Sequence, residues 1–120
     1  MTEVSPLPPQ LQEQIQRLQQ LQQTLQLVVS QRQQLEIERS DIETALSELD
    51  KMTEKSTIYK SIGSLLVQSG RKKVINELKD RKDLLDTRLT VLERQQKRAE
   101  GRIKDLQQSI QERIRLLPQS

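Results

Sequence analysis

The sequence predicts a mainly α-helical protein: two long helices form an antiparallel coiled coil, and the central β-hairpin that joins them completes a β-barrel shared between subunits. Only 32% of the 120 residues are hydrophobic, and Phe and Trp are absent, which is too little apolar material for a conventional globular core. Leucine and isoleucine nevertheless recur at steps of three and four residues in both halves, the period of an amphipathic helix. Between the halves lies one short segment of strand-forming residues.

The balance of charges distinguishes a coiled coil from a disordered chain. Disordered chains combine few apolar residues with a high net charge, whereas this chain has a net charge of +3 although 31% of its residues are charged. The regular spacing of its leucines and the balanced charge therefore favour a coiled coil. We expect residues 1–120 to form a single domain, with a first helix over about 9–52, a hairpin over 57–69 and a second helix over 71–117.

The first helix can begin at about Pro9, because proline fits the first turn of a helix. Placing Leu21 and Leu25 at successive core positions of a heptad continues an apolar seam to Leu49. Arg32 and Arg39 interrupt this seam at core positions.

The central segment Thr57–Ser69 combines β-branched residues, the only aromatic residue (Tyr59) and a glycine at its middle. Gly63 divides it into two strand-length pieces, as a hairpin requires. A lone hairpin is marginal in water and has two open edges, so we expect it to pair with hairpins of other chains. The residues expected to carry this assembly are Ile58, Tyr59, Ile62, Gly63, Leu65, Leu66 and Val67.

The second helix follows Gly70, and its seam fits that of the first in an antiparallel register. With Leu49 opposite Ile75, the facing pairs are Leu46–Leu78, Ile42–Lys82, Arg39–Leu85, Leu35–Leu89, Arg32–Leu92, Val28–Gln96, Leu25–Ala99, Leu21–Ile103 and Leu18–Leu106. Past irregular steps in both seams they continue as Ile15–Ile110 and Leu11–Ile114. Every polar residue in the seam faces an apolar one, which supports this register.

The charges of the two helices are complementary. Residues 1–50 hold 3 basic and 8 acidic side chains, and residues 71–120 hold 14 and 8. An acidic first helix and a basic second helix favour pairing within one chain. Lys60 and the Arg71–Lys73 run are interpreted as surface charge.

The end of the helix pair that carries both chain termini is expected to be exposed and apolar. The residues expected to form this apolar tip are Leu7, Leu11, Ile15, Ile110, Ile114, Leu116 and Leu117. The alternative is that they are only the frayed end of an ordinary coiled coil.

Composition argues against several function classes. Without Cys or His, the usual thiol, general-base and transition-metal chemistry is absent, so we expect no enzyme, catalytic residue, cofactor or metal. No apolar run approaches the roughly 18–20 residues of a membrane span, and the N-terminus lacks a secretory pattern. A cytoplasmic protein without membrane partners is therefore expected.

The Arg71–Lys73 run and the basic residues 94–102 raise the alternative of nucleic-acid binding. Pairing of a solvated basic face with the acidic helix is favoured over it, so no nucleic-acid partner is expected.

The run Ile58-Tyr-Lys-Ser-Ile-Gly-Ser-Leu-Leu-Val67 between two heptad arms resembles the β-class subunit of prefoldin, in its short archaeal form. The resemblance covers essentially the whole chain. It implies an ATP-independent chaperone, a hexamer of two α-class and four β-class subunits whose hairpins build two β-barrels. It also implies coiled-coil tips that grip unfolded client proteins and pass them to a group II chaperonin. A structural coiled-coil scaffold or adaptor without client binding is the alternative.

Overall fold

The computed structural model describes residues 7–118 and contains four elements. They are helix α1 (Pro9–Asp50), strand β1 (Ile58–Ile62), strand β2 (Leu65–Ser69) and helix α2 (Arg71–Arg115). This confirms the predicted fold class of two long helices joined by a central hairpin. Each helix ends two residues before the expected boundary. Within the described residues no helix is long and apolar enough to span a membrane.

Neighbouring residues form hydrogen bonds with backbone groups at both ends of α1. The carbonyl of Pro8 accepts hydrogen bonds from the amides of Leu11 and Gln12, both at 3.0 Å, which fixes the first turn of α1. At the other end of α1, the carbonyl of Leu49 accepts a 2.8 Å bond from Nε of Arg71. Because the last carbonyls of a helix have no partner within it, this arginine at the start of α2 caps the end of α1.

The hairpin is an antiparallel pair in which Ile58 lies opposite Ser69 and Ile62 opposite Leu65. Two residues, Gly63 and Ser64, connect the strands. Gly63 has a φ of +58°, and a positive φ at the first of two turn residues is the pattern of a type II′ turn, whose twist matches that of the strands. Glycine is favoured here because it adopts this conformation without a Cβ penalty.

The chain forms two compact units. Among the described residues, unit 1 comprises 7–31 and 92–118, and unit 2 comprises 32–91. Within each unit, a segment of α1 packs against a segment of α2, and the buried apolar residues come mainly from the predicted seam. In unit 1 they are Leu11, Val28, Ala99, Ile103 and Ile110; in unit 2 they are Ile42, Leu49, Ile58, Leu85 and Leu89.

Hydrogen bonds and ion pairs between the helices match the predicted register. In unit 1, Nε2 of Gln14 donates to Oγ of Ser109 at 2.9 Å, one residue from the expected Ile15–Ile110 pair. In unit 2, Arg39 lies 3.1 Å from Asp86, one residue from the expected partner Leu85. The antiparallel pairing of the two helices is therefore confirmed within each unit.

The seam differs from its expected course at Ile114, which is 51% exposed, while its expected partner Leu11 is 1% exposed. The reason is geometric. Leu106, Ile110 and Ile114 are separated by two successive steps of four residues, and together these steps turn the helix about 80° past the seam, since one turn takes 3.6 residues. The preceding residue, Arg113, donates from its guanidinium to Oε1 of Gln10.

Leu85→Ala should destabilise the chain by about 2–5 kcal/mol, because it removes a fully buried side chain from the centre of the unit 2 seam. Leu84→Ala is the matched control. Leu84 is the preceding residue and is 45% exposed, so its loss should cost less than about 1 kcal/mol. The free energy of unfolding from urea titration tests both, and equal losses would contradict the seam.

The two glycines at 63 and 101 form a second matched pair, because an added Cβ meets no atom within 4 Å at either position. Gly63→Ala should destabilise by about 1–2 kcal/mol, the cost of a left-handed backbone for a residue with a side chain. Gly101→Ala should stabilise by up to about 1 kcal/mol, because Gly101 lies inside α2. Thermal unfolding of both variants measures the difference; a change of the same sign in both would contradict the turn assignment.

Candidate assembly and client-binding surfaces

The hairpin is apolar on both faces, and most of that surface is exposed. The strand register places Ile58, Lys60 and Ile62 on one face with Leu65 and Val67, while Tyr59 and Leu66 share the other. Ile58 is 9% exposed, but Leu66 is 71% exposed. Among residues 7–118 the sheet contains only these two strands, so both of its edges are open to pairing.

An ion pair ties the hairpin to α2. Nζ of Lys60 lies 2.7 Å from a carboxylate oxygen of Glu77, and both side chains are about half exposed. The hydrogen bond from Lys60 is the main reason that the pKa of Glu77 lies below its ordinary value of 4.5. Because Lys60 lies between Ile58 and Ile62 on one strand face, this contact fixes which face of the hairpin turns toward the helix.

Residue spacing does not reveal this role of Glu77, and it assigns Lys60 to surface charge. One signal was available: a lone lysine among apolar residues on one strand face requires an anionic partner or solvent. Residue spacing does not predict which acidic residue of α2 pairs with Lys60, because the choice depends on the angle between strand and helix.

Arg71 joins the two helices beside the hairpin. Besides its bond to the carbonyl of Leu49, its Nη2 lies 3.9 Å from Asp50, and its side chain is only 22% exposed. Arginine is suited to this position because its guanidinium donates from several nitrogens in a fixed plane. The end of α1 and the start of α2 are therefore held together at the point where the hairpin is inserted.

The seven residues of the expected client-binding tip are all in unit 1, and they divide by burial. Leu11 and Ile110 are buried in the seam, and Ile15 and Leu117 are half-buried. Leu7, Ile114 and Leu116 are exposed, with Leu116 reaching 82%. Leu116 and Leu117 also line a shallow pocket of about 200 Å³ with Pro8, Leu11 and Arg113. The apolar surface available without separating the helices is therefore that of Leu7, Ile114 and Leu116.

The part of the chain that the structure describes holds no group of three or more His, Cys, Asp or Glu residues placed to bind a metal ion.

Comparison with known proteins decides the family. A family model described as prefoldin subunit matches residues 12–115. The chain belongs to the prefoldin subunit family. Prefoldin is a chaperone family, and the matched range includes both helices and the hairpin almost completely.

Relatives within the family are beta subunits of archaea. The chain is 39% identical to prefoldin subunit beta of Methanothrix thermoacetophila over 112 residues, which cover 93% of each chain. It is 41% identical to prefoldin subunit beta of Archaeoglobus fulgidus over 105 residues, 88% of this chain and 90% of that one.

The crystal structure of the prefoldin beta subunit from Thermococcus strain KS-1 superposes with a TM-score of 0.82 at 35% identity, covering 95% of this chain and all of that chain. The prefoldin beta2 subunit of the same strain, at 22% identity and a TM-score of 0.50, shares the fold. Both relatives and both solved structures are described as beta subunits of prefoldin.

Acidification should weaken the attachment of the hairpin to α2, because it removes the ion pair between Lys60 and Glu77. A carboxyl group with a lowered pKa in the folded chain contributes stability above the ordinary pKa, and this contribution disappears as the pH falls through the lowered pKa. The contribution of Glu77 is therefore fully present above about pH 5 and is lost as the pH falls below 4.5. Hydrogen exchange of the hairpin amides, corrected for the intrinsic effect of pH, should show protection falling over this range.

Glu77→Gln should remove that pH dependence and give low protection throughout. Glu48→Gln is the control, because Glu48 pairs with Lys51 on an exposed face near the end of α1. It should leave the pH profile unchanged. If the pH profile of hairpin protection in Glu77→Gln equals that of the wild-type chain, the ion pair does not hold the hairpin.

Proposed function

We propose that this chain is a β-class subunit of an ATP-independent prefoldin that holds non-native proteins and delivers them to a group II chaperonin. The observation that carries the proposal is that one short chain exposes two separate apolar surfaces, one in each unit. The hairpin in unit 2 serves assembly, and the exposed tip residues in unit 1 serve client binding. The whole chain then works as one prefoldin-like domain.

Assembly follows from the incomplete sheet. Two strands with both edges open and with Leu65, Leu66 and Val67 exposed gain stability when further strands cover them. The partners are the hairpins of α-class prefoldin subunits and of other copies of this chain. As the family resemblance implies, two α-class and four β-class subunits then form a hexamer with two β-barrels.

Client binding rests on weak apolar contacts used together. Leu7, Ile114 and Leu116 offer a small exposed apolar area in each subunit, which suits the exposed apolar segments of non-native chains. Separation of the helix ends adds Leu11, Ile15, Ile110 and Leu117. Several tips contacting one client raise the overall affinity through effective concentration. Each contact remains weak enough for release to a chaperonin without nucleotide, and the cytoplasm is the compartment where this transfer takes place.

The assembly surface is tested by native mass spectrometry of this chain, alone and mixed with an α-class prefoldin subunit. We expect a mixed hexamer of two α-class subunits and four copies of this chain. Leu66→Asp should prevent it, because it places a charge on the exposed hairpin face that other strands must cover. A chain that stays monomeric or dimeric in the mixture contradicts the proposal.

The tip surface is tested by the triple variant Leu7→Ser, Ile114→Ser and Leu116→Ser in the assembled complex. It should lose most of its ability to suppress aggregation of a chemically denatured client, while the hexamer remains intact. The matched control replaces the three exposed apolar residues Ile37, Leu84 and Val91 of unit 2 with serine and should retain this activity.

The second candidate function is a coiled-coil scaffold, which the regular seam alone would satisfy. It requires assembly without client binding. A wild-type hexamer that fails to suppress aggregation supports the scaffold and refutes the holdase.

A further inference from the structure

Three arginines form a stripe on the exposed face of α2 within unit 1. Arg94, Arg98 and Arg102 are all exposed and are spaced four residues apart, so each lies one helical turn from the next. The stripe spans about 12 Å along the helix. Like charges at this spacing repel each other and weaken the helix, so the arrangement is unfavourable unless an anion neutralises it.

The facing helix supplies no such anion. Between Arg17 and Arg32, α1 contains no charged residue at all, so the segment of α1 that packs against the stripe is neutral. Arg17 adds a fourth cation to the same side, because it lines an open groove of about 450 Å³ together with Leu21, Arg102 and Asp105. Asp105 is the only acidic residue that lines this groove.

Unit 2 provides the contrast. There the helices are joined by ion pairs, including Arg81 with Glu38 at 2.8 Å and Lys82 with Glu43 at 3.6 Å. Over residues 7–118, all ion pairs lie within unit 2, and none involves the arginines at 17, 94, 98 and 102. The expected pairing of an acidic α1 with a basic α2 therefore holds in unit 2, whereas the cations of unit 1 remain available to an external partner.

The chemistry of the stripe favours an acidic polypeptide. Guanidinium groups bind carboxylates through paired hydrogen bonds. Unit 1 also offers an exposed apolar side chain on α1, because Leu27 is 59% exposed. Binding of single-stranded nucleic acid usually adds aromatic stacking, but the only aromatic residue of the chain is Tyr59 in the hairpin.

We propose that the stripe of Arg94, Arg98 and Arg102 binds acidic segments of non-native polypeptides and so gives the chaperone a preference for acidic clients. This rests on the proposed holdase function and adds a client class to it. The exposed arginines attract acidic chains over a distance of about one Debye length, so the preference weakens as salt increases. The apolar tip then holds the chain by contacts that salt does not screen.

The test uses the assembled hexamer and two permanently unfolded probes of equal length and apolar content. One probe carries glutamate and the other lysine at the same positions. The wild-type complex should bind the glutamate probe roughly tenfold more tightly at low salt, since several exposed ion pairs contribute modestly and act together. Arg94→Gln, Arg98→Gln and Arg102→Gln combined should reduce the ratio to about one.

The matched control is Lys55→Gln, Lys79→Gln and Arg88→Gln, which changes the net charge equally but at exposed positions of unit 2. It should keep the preference, because the effect belongs to the stripe and not to the total charge. Circular dichroism and native mass spectrometry establish that both triple variants fold and assemble.

Three outcomes overturn the inference. If the wild-type complex holds both probes equally well, the holdase function stands and the client preference is wrong. If it holds neither probe, the holdase function fails as well. If the arginine variant keeps the preference but loses retention of single-stranded DNA at moderate salt, the stripe binds nucleic acid.

Discussion

Within each unit, the packing of a segment of α1 against a segment of α2 through an apolar seam is the constraint on which the other features depend. The seam fixes which residues of the two helices face each other, and therefore which residues remain outside it. Because Leu85 and Leu89 are buried in unit 2 while their neighbour Leu84 is exposed, a shift by one residue would bury the wrong side chains. The cross-helix bonds of Gln14 and Arg39 follow from the same register.

Electrostatic pairing reinforces the seam unevenly. In unit 2, acidic residues of α1 find cations on α2, and exposed pairs of this kind contribute little each but favour one register over others. In unit 1, the pairing is replaced by amide and hydroxyl contacts, such as that between Gln14 and Ser109. Charged side chains therefore form ion pairs in unit 2, whereas the arginines of unit 1 remain accessible.

The hairpin shows how a short apolar segment is oriented by the helices beside it. Ile58 is buried at its start, and Lys60 pairs with Glu77 of α2, so one end of the sheet is fixed to the helix pair. The rest of its apolar surface stays exposed. The same hairpin therefore combines a fixed end with accessible apolar side chains.

The sequence by itself determined the two helices, the hairpin at Gly63 and the register of the seam, because these depend on periodic spacing and local turn chemistry. It also grouped the apolar residues near the termini. Only the tertiary structure decided that Leu11 is buried while Leu116 is exposed, that Arg71 caps α1, and that Glu77 is the partner of Lys60. These features depend on helix rotation and on the angle between strand and helix, which side-chain packing sets and residue spacing does not specify.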